Sequence, residues 1–472
     1  MSAESTSGVA EQTILLYAPR KKLYTREIKG FFNRWRWALV WATQLLYYGL
    51  PWLSWEGRPA VLFNLVERKF FIFGLVLWPQ DFIYLTALLV TSAFGLFLFT
   101  AVAGRLFCGY ACPQTVYTEI FMKIEHWVEG NRAKRLRLDT RGPTGERWLR
   151  RMLKFAAWSL IALWTGFTFA GYFTPILELV DLTRAAALGP WQSFWILFYS
   201  AFTLMQAGFM REQVCKYMCP YARFQSVMFD RDTLIVTYDE IRGEPRGSRS
   251  KKADHRAEGK GDCIDCGICV DVCPTGIDIR LGLQYECIGC GLCADGCDSI
   301  MHKMGYRRGL IRYSTQNAIA KGYTAAELRA HILRPRVLIY AAILSLIISL
   351  LCVSLWARSP LKVDIMRDRG ALAREVDGAY IENTYQFQLI NTDEQSHRLK
   401  LTPSGLPGLI IASGDTVELP GVSTQMFIVR MRSRITDLEG QATGPHKIQV
   451  HVESLTRPGV KIDDKATFFI PK

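Results

Sequence analysis

"CIDCGICVDVCP" (263–274) and "CIGCGLCADGCD" (287–298) decide how this chain is read. Each run follows the order C-x2-C-x2-C-x3-C, giving Cys263, Cys266, Cys269 and Cys273, then Cys287, Cys290, Cys293 and Cys297. Three closely spaced thiolates on a tight loop suit three irons of one cubane, and the fourth cysteine of each run crosses to the other cluster. The spacing predicts one [4Fe–4S] cluster on Cys263, Cys266, Cys269 and Cys297. A second falls on Cys287, Cys290, Cys293 and Cys273. Gly267, Gly276, Gly289 and Gly291 let the backbone curl round the inorganic core. Paired zinc knuckles are the competing reading, but zinc sites usually leave a longer gap between ligand pairs.

The two runs have the spacing of bacterial two-cluster ferredoxins, with Asp298 where a second proline is common. Outward from them lie five more cysteines of the thirteen in the 472 residues, and none follows Cys352. Four of them repeat a pattern: "CGYACPQ" (108–114) and "CKYMCPY" (215–221) each follow an apolar run and an arginine, Arg105 or Arg211. On a continuous helix, positions i and i+4 share a face, so Cys108/Cys112 and Cys215/Cys219 could place paired sulfurs on a soft metal or form a dithiol. The proline instead favours a helix start, with Cys112 and Cys219 at N-caps, where a thiolate is favoured. Small buried cysteines are the plain alternative, but recurrence at equivalent places favours a functional role. Met205, Met210 and Met218 are weaker candidate ligands, and Cys352 reads as packing.

Five stretches are long enough to span a bilayer: 36–55, 82–104, 154–174, 191–210 and 336–357. "FFIFGLVLW" (70–78) is too short and reads as an interfacial or re-entrant piece. Lys and Arg concentrate in the tail to Arg36 and in loop 105–151, while loop 175–190 has only Arg184. The excess places the N-terminus, loop 105–151 and segment 211–335 in the cytoplasm, and residues after Ala357 on the other side. The formal net charge of +14 is thus mostly a topology signal. No basic helix or aromatic RNA-binding pattern accompanies it, so nucleic acid is not an expected partner. The first 35 residues lack the apolar core of a signal peptide.

Residues 358–472 alternate apolar and polar in "YQFQLIN", "HRLKLTP", "MFIVRMR", "KIQVHVES" and "ATFFIPK", predicting a small all-β sandwich. His397, His446 and His451 read as strand or surface residues. Only His126 lies near the first four spans, which argues against haem b, and no G-x-G-x-x-G follows a strand. The expected divisions are 1–35, a basic tail; 36–220, a four-span core; 221–335, a cytoplasmic segment with the ferredoxin module near 255–305; 336–357, a fifth span; and 358–472, the sandwich.

With "YAPRKKLYTR", "ERKFFIFGLVLWPQDF", both C-x-x-x-C-P motifs, "RGEPRG" and the cluster runs in this order, the chain resembles the cytochrome c oxidase accessory proteins called CcoG, FixG or RdxA. Thr25 stands where that family pattern has proline. The resemblance implies a multi-pass inner-membrane iron–sulfur protein with a periplasmic immunoglobulin-like domain. It implies a role in assembling cbb3-type oxidase by reducing Cu(II) to Cu(I), with copper at Cys108, Cys112, Cys215 and Cys219. Expected partners are the oxidase subunits or a copper chaperone or transporter, a cytoplasmic electron donor, and a second copy in a homodimer. Two rival readings are a quinol-oxidising subunit like the membrane polyferredoxins of nitrate and nitrous-oxide reductase systems, and an assembly scaffold with structural clusters.

Overall fold

The apolar runs fold as helices because their side chains have no alternation that a strand could use. The helices that organise the chain are α1 (Phe31–Gly49), α2 (Phe82–Ala103), α3 (Leu106–Tyr110), α4 (Pro113–Glu129), α5 (Gly145–Ala170), α6 (Pro190–Thr203), α7 (Pro220–Met228), α8 (Leu292–Met304) and α9 (Pro335–Trp356). The computed structural model describes residues 22–142, 144–251, 257, 259–368 and 373–471; Arg20 and Lys21 of the basic tail and Lys472 lie outside them.

Among the described residues, Pro79–Ala103, Gly145–Ala170, Pro190–Met210 and Pro335–Trp356 are long and apolar enough to cross a membrane, by length and composition. They match the second to fifth expected spans. The first expected span, 36–55, is shorter than anticipated: α1 stops at Gly49, and Leu50–Trp52 forms a tight turn around Pro51. With 19 residues, α1 is about 28 Å long, but Arg34, Arg36 and Gln44 interrupt its apolar character. The segment 70–78 is not re-entrant. It supplies strands Lys69–Ile72 and Leu75–Leu77, which form an antiparallel sheet with Val61–Asn64. Phe71, Val76 and Trp78 are buried in a cluster that includes Ile390, so the run satisfies its apolar surface within protein.

The chain forms two compact units. The first comprises 1–47, 96–167 and 189–340; the second comprises 48–95, 168–188 and 341–472. In the second, strand alternation is realised as expected. One antiparallel sheet runs Ile410–Ile411, Ser423–Arg434, Tyr380–Asn391, Leu361–Arg367; the other runs Thr416–Leu419, His397–Ser404, Gly444–Ser454, Lys461–Ile470. Phe387, Leu389, Leu399, Leu401, Val450 and Phe468 fill one buried core. Within this unit the buried Asp81 accepts from Arg358 and Lys362, each at 2.5 Å. His397 is fully buried beside Ser454 Oγ at 2.9 Å, and His451 pairs with Asp463 at 2.6 Å. They are strand residues, as read.

Candidate functional site

In the first unit, the cysteine runs fold as two matched loops. Gly267 (φ 67°) and Gly291 (φ 72°) take left-handed conformations and start the helical turn Ile268–Asp271 and helix α8. Asp298 lies within α8, and its Oδ1 accepts from Gly309 N at 2.7 Å. A proline there would have interrupted the helix. Strands Ile235–Tyr238 and Ile311–Ser314 pair antiparallel and share a core with Cys263, Cys269 and Cys297.

The fit to clusters is direct. One cavity is lined by Cys263, Cys266, Cys269 and Cys297, the quartet expected for the first cluster. A second is lined by Cys273, Cys287, Cys290 and Cys293, and also by Cys269. Each cavity is walled by at least four cysteine thiols, a donor set that fits a [4Fe–4S] cluster, which supplies one-electron transfer when bound.

The repeated motifs meet by exchange. Helix α4, which follows the first motif, packs on the end of the second repeat: Gln114 Nε2 donates to Gln206 O and Arg211 O, each at 3.1 Å. Helix α7, which follows the second motif, packs on the end of the first: Tyr221 Oη lies 2.8 Å from Thr100 Oγ1, and Gln225 Nε2 donates to Thr100 Oγ1 at 3.2 Å. The arginines cross likewise. Arg105 donates to Ala222 O, and Arg211 donates to Glu125 at 2.9 Å. This exchange gathers the thiols: in every pair among Cys108, Cys112, Cys215 and Cys219, a charge on one is felt by the other.

Cys112 and Cys219 are the N-caps of α4 and α7, with Pro113 and Pro220 at the first helical position. Burial nevertheless opposes the thiolate expected at Cys112. Burial pushes Cys108 and Cys215 up to about 12, with neighbouring thiols adding to it and Arg105 opposing it. Burial also raises Cys112, although the Gln114 and Thr115 backbone N–H groups pull the other way. The second motif lies in a widened π-type turn, Val214–Met218, after another at Leu204–Met210; such turns recur at functional sites. Between them Arg211 has φ 46°, a strained value for a non-glycine residue.

The thiols touch the second cluster loop. Cys108 and Cys215 pack on a core that includes Ile288 and the ligand Cys290. A Cβ on Gly109 would lie 2.8 Å from Ile288 O and 2.9 Å from Cys290 Cα, so only glycine permits this approach. Arg36, 2 % exposed, holds the contact by donating from Nε to Gly109 O at 3.1 Å and pairing with Glu119 at 3.0 Å. Tyr313 donates to Gly289 O. Asp295 of α8 accepts from Phe32 N and Asn33 N, capping α1.

Arg36, Gly109, Gln225, Asp295 and Tyr313 escaped the sequence reading; Arg36 carried a faint signal as a charge within an expected span. Met205 and Met218 are exposed. Cys352 is exposed on α9 rather than packed. His126 contacts Arg135 at 3.2 Å, and burial with that charge lowers its pKa.

Three family profiles match the chain. Residues 210–316 match a "4Fe-4S dicluster domain", 85–135 a "4Fe-4S binding domain", and 351–471 the Ig-like fold at the C-terminus of FixG. Similar curated proteins include the nitrogen fixation protein FixG of Rhizobium meliloti, 38 % identical over 83 % of this chain and 81 % of the relative. Protein RdxB of Cereibacter sphaeroides is 41 % identical over 83 % of each chain, and RdxA of that organism 36 % identical over 95 % of each. A solved FixG-related protein from Vibrio parahaemolyticus is 20 % identical, covering 24 % of this chain and 98 % of its own, with a TM-score of 0.22. With two ferredoxin quartets in place, membrane-length apolar helices and an Ig-like C-terminal domain, the chain belongs to the FixG/RdxA family of iron–sulfur proteins.

Proposed function

We propose that this protein is a cupric reductase of the inner membrane. It passes single electrons from a cytoplasmic donor through the two ferredoxin clusters to the C-x-x-x-C-P thiols, where Cu(II) becomes Cu(I) for assembly of a cbb3-type oxidase. The observation that carries this reading is the contact of Gly109 with Ile288 and Cys290, which sets the four-thiol site against the second cluster loop. An electron arriving at that cluster has the thiols as its immediate neighbours.

What supports the sidedness is the crowding of basic residues in the segments 22–36 and 105–151. On this reading the ferredoxin module and thiols are cytoplasmic, and the sandwich is periplasmic and docks oxidase subunits, a copper carrier or a second copy. The test mixes the anaerobic, dithionite-reduced protein, freed of excess dithionite, with Cu(II) and a Cu(I)-specific chelator. Cu(I) should form in proportion to cluster electrons. No Cu(I), together with cluster reduction by a quinol, would favour the quinol-oxidising reading.

A further inference from the structure

Two clefts in the first unit lie outside the ferredoxin cavities and share a wall. The outer cleft, about 440 Å³, is formed by the N-terminal segment and α4, with the exposed Arg26 and Glu27 on its rim and Met122 and Pro274 further in. The inner cleft, about 310 Å³, is lined by the same Met122 and Pro274 and by Arg36, Glu212 and Cys215. Met122 and Pro274 thus stand where the two meet, and together the clefts lead from the surface to the second C-x-x-x-C-P motif.

The walls suit a cation. Their cations beyond the rim already have carboxylates: Lys123 pairs with Glu27, Arg36 with Glu119 at 3.0 Å, and Arg211 with Glu125 at 2.9 Å. His126, on the outer cleft, is held towards its neutral form by burial and by the charge of Arg135. Glu212 brings a further carboxylate to the inner cleft and is only 7 % exposed.

The donors at the inner end are mixed. Met122 is buried, and its Sδ accepts from Thr25 Oγ1 at 3.6 Å, which fixes the thioether. Glu212 and Cys215 are three residues apart in the chain. Nitrogen and oxygen donors suit Cu(II), whereas thioether and thiolate select Cu(I). A carboxylate, a thioether and a thiol lining one cleft can therefore hold the ion on both sides of a one-electron step. The second ferredoxin quartet is close by: Thr275, in the wall of the inner cleft, has its Oγ1 3.3 Å from the Sγ of Cys273.

We propose that these clefts are the route by which copper enters, and that Met122 and Glu212 ligate it beside Cys215. The inference rests on the reading of copper as the substrate. Glu212 serves the incoming Cu(II), and Met122 with Cys215 serves the Cu(I) formed when one electron arrives from the ferredoxin module. No proton or group is transferred in that step.

The test uses the full-length protein in detergent, under anaerobic conditions, with Cu(I) supplied against a chromophoric Cu(I) chelator. Met122→Leu, which conserves volume, should keep the ferredoxin absorbance and weaken Cu(I) binding at least about tenfold, the scale of losing even an outer partner of a metal ligand. Glu212→Gln should instead raise KM for Cu(II) more than it lowers kcat. Glu27→Lys adds positive charge at the rim. It should slow the second-order reaction with Cu(II) at low salt, recover as salt rises, and leave Cu(I) affinity unchanged. Wild-type Cu(I) affinity in Met122→Leu overturns the ligand assignment, and a wild-type rate in Glu27→Lys at low salt overturns the route. The titration begins from Cu(I), so it reports on the site even if the protein reduces no Cu(II). Binding without reduction would sink the functional reading and leave the site standing.

Discussion

Arg105 is the residue on which the electrostatics of the site turn. Its positive charge faces one ligand of the second cluster and three of the C-x-x-x-C-P thiols, so it favours the more negative, reduced state of anything bound there. In a low-dielectric interior one such charge shifts the potential of a neighbouring redox centre appreciably. Arg105→Gln should therefore lower the potential of the second cluster by tens of millivolts in a redox titration, with Arg105→Lys much closer to wild type. Glu125 is the matching structural case. It is 1 % exposed and accepts from Arg211 at 2.9 Å, with Arg135 at 3.5 Å and Lys154 at 3.7 Å. Burial pushes its carboxyl up, but Arg211, Lys154 and Arg135 outweigh that and hold it below the usual range. A depressed carboxylate pKa contributes stability that is present above the unfolded value and is lost as pH falls below about 4. Glu125→Gln strands the cations and should cost about 3–5 kcal/mol near neutral pH. Thermal unfolding should show that deficit shrinking as the pH is lowered.

At the scale of elements, the loops and strands were the most legible parts. The cysteine spacing named two quartets; one cavity is lined by the first four thiols, and the other by the second four together with Cys269. Alternation in "YQFQLIN" and "KIQVHVES" located strands whose inward residues are buried, such as Phe387 and Val450. The N-cap positions of Cys112 and Cys219 followed from the prolines after them. What spacing could not reveal was the exchange of α4 and α7 between repeats, since that depends on contacts a hundred residues apart, such as Arg105 with Ala222. Nor could it place 70–78, because an apolar run of nine reads alike as a membrane-seeking segment and as strands that bury themselves on Ile390. The acidity expected at Cys112 was misjudged for a related reason: helix capping is local, whereas the burial that outweighs it there is tertiary. Gly109 tests the element contact. Gly109→Ala puts a methyl against backbone at 2.8–2.9 Å, so the second cluster loop must retreat. Overpacking of this kind costs about 1–3 kcal/mol. Both ferredoxin clusters should still load, while electron transfer from them to the acceptor slows; unchanged transfer kinetics would mean the contact is only structural.

For the whole molecule, the long helices carry a division of labour. The clusters, the four thiols and the buried Glu125 network all belong to one unit, and the sandwich with its Asp81 ion pairs to the other. The redox parts thus lie in segments richest in lysine and arginine, and the sandwich, 358–472, contains no cysteine. The central claim is that electrons leave the ferredoxin module through the four thiols. The most direct measurement is anaerobic rapid mixing of dithionite-reduced, desalted protein with Cu(II), following cluster reoxidation optically and Cu(I) with a chelator. Wild type is run against the variant lacking Cys108, Cys112, Cys215 and Cys219. The prediction is that Cu(I) appears in step with reoxidation in the wild type, and that the variant keeps its ferredoxin clusters but loses the fast phase. Equal rates in the two proteins would contradict the claim and place the exit elsewhere.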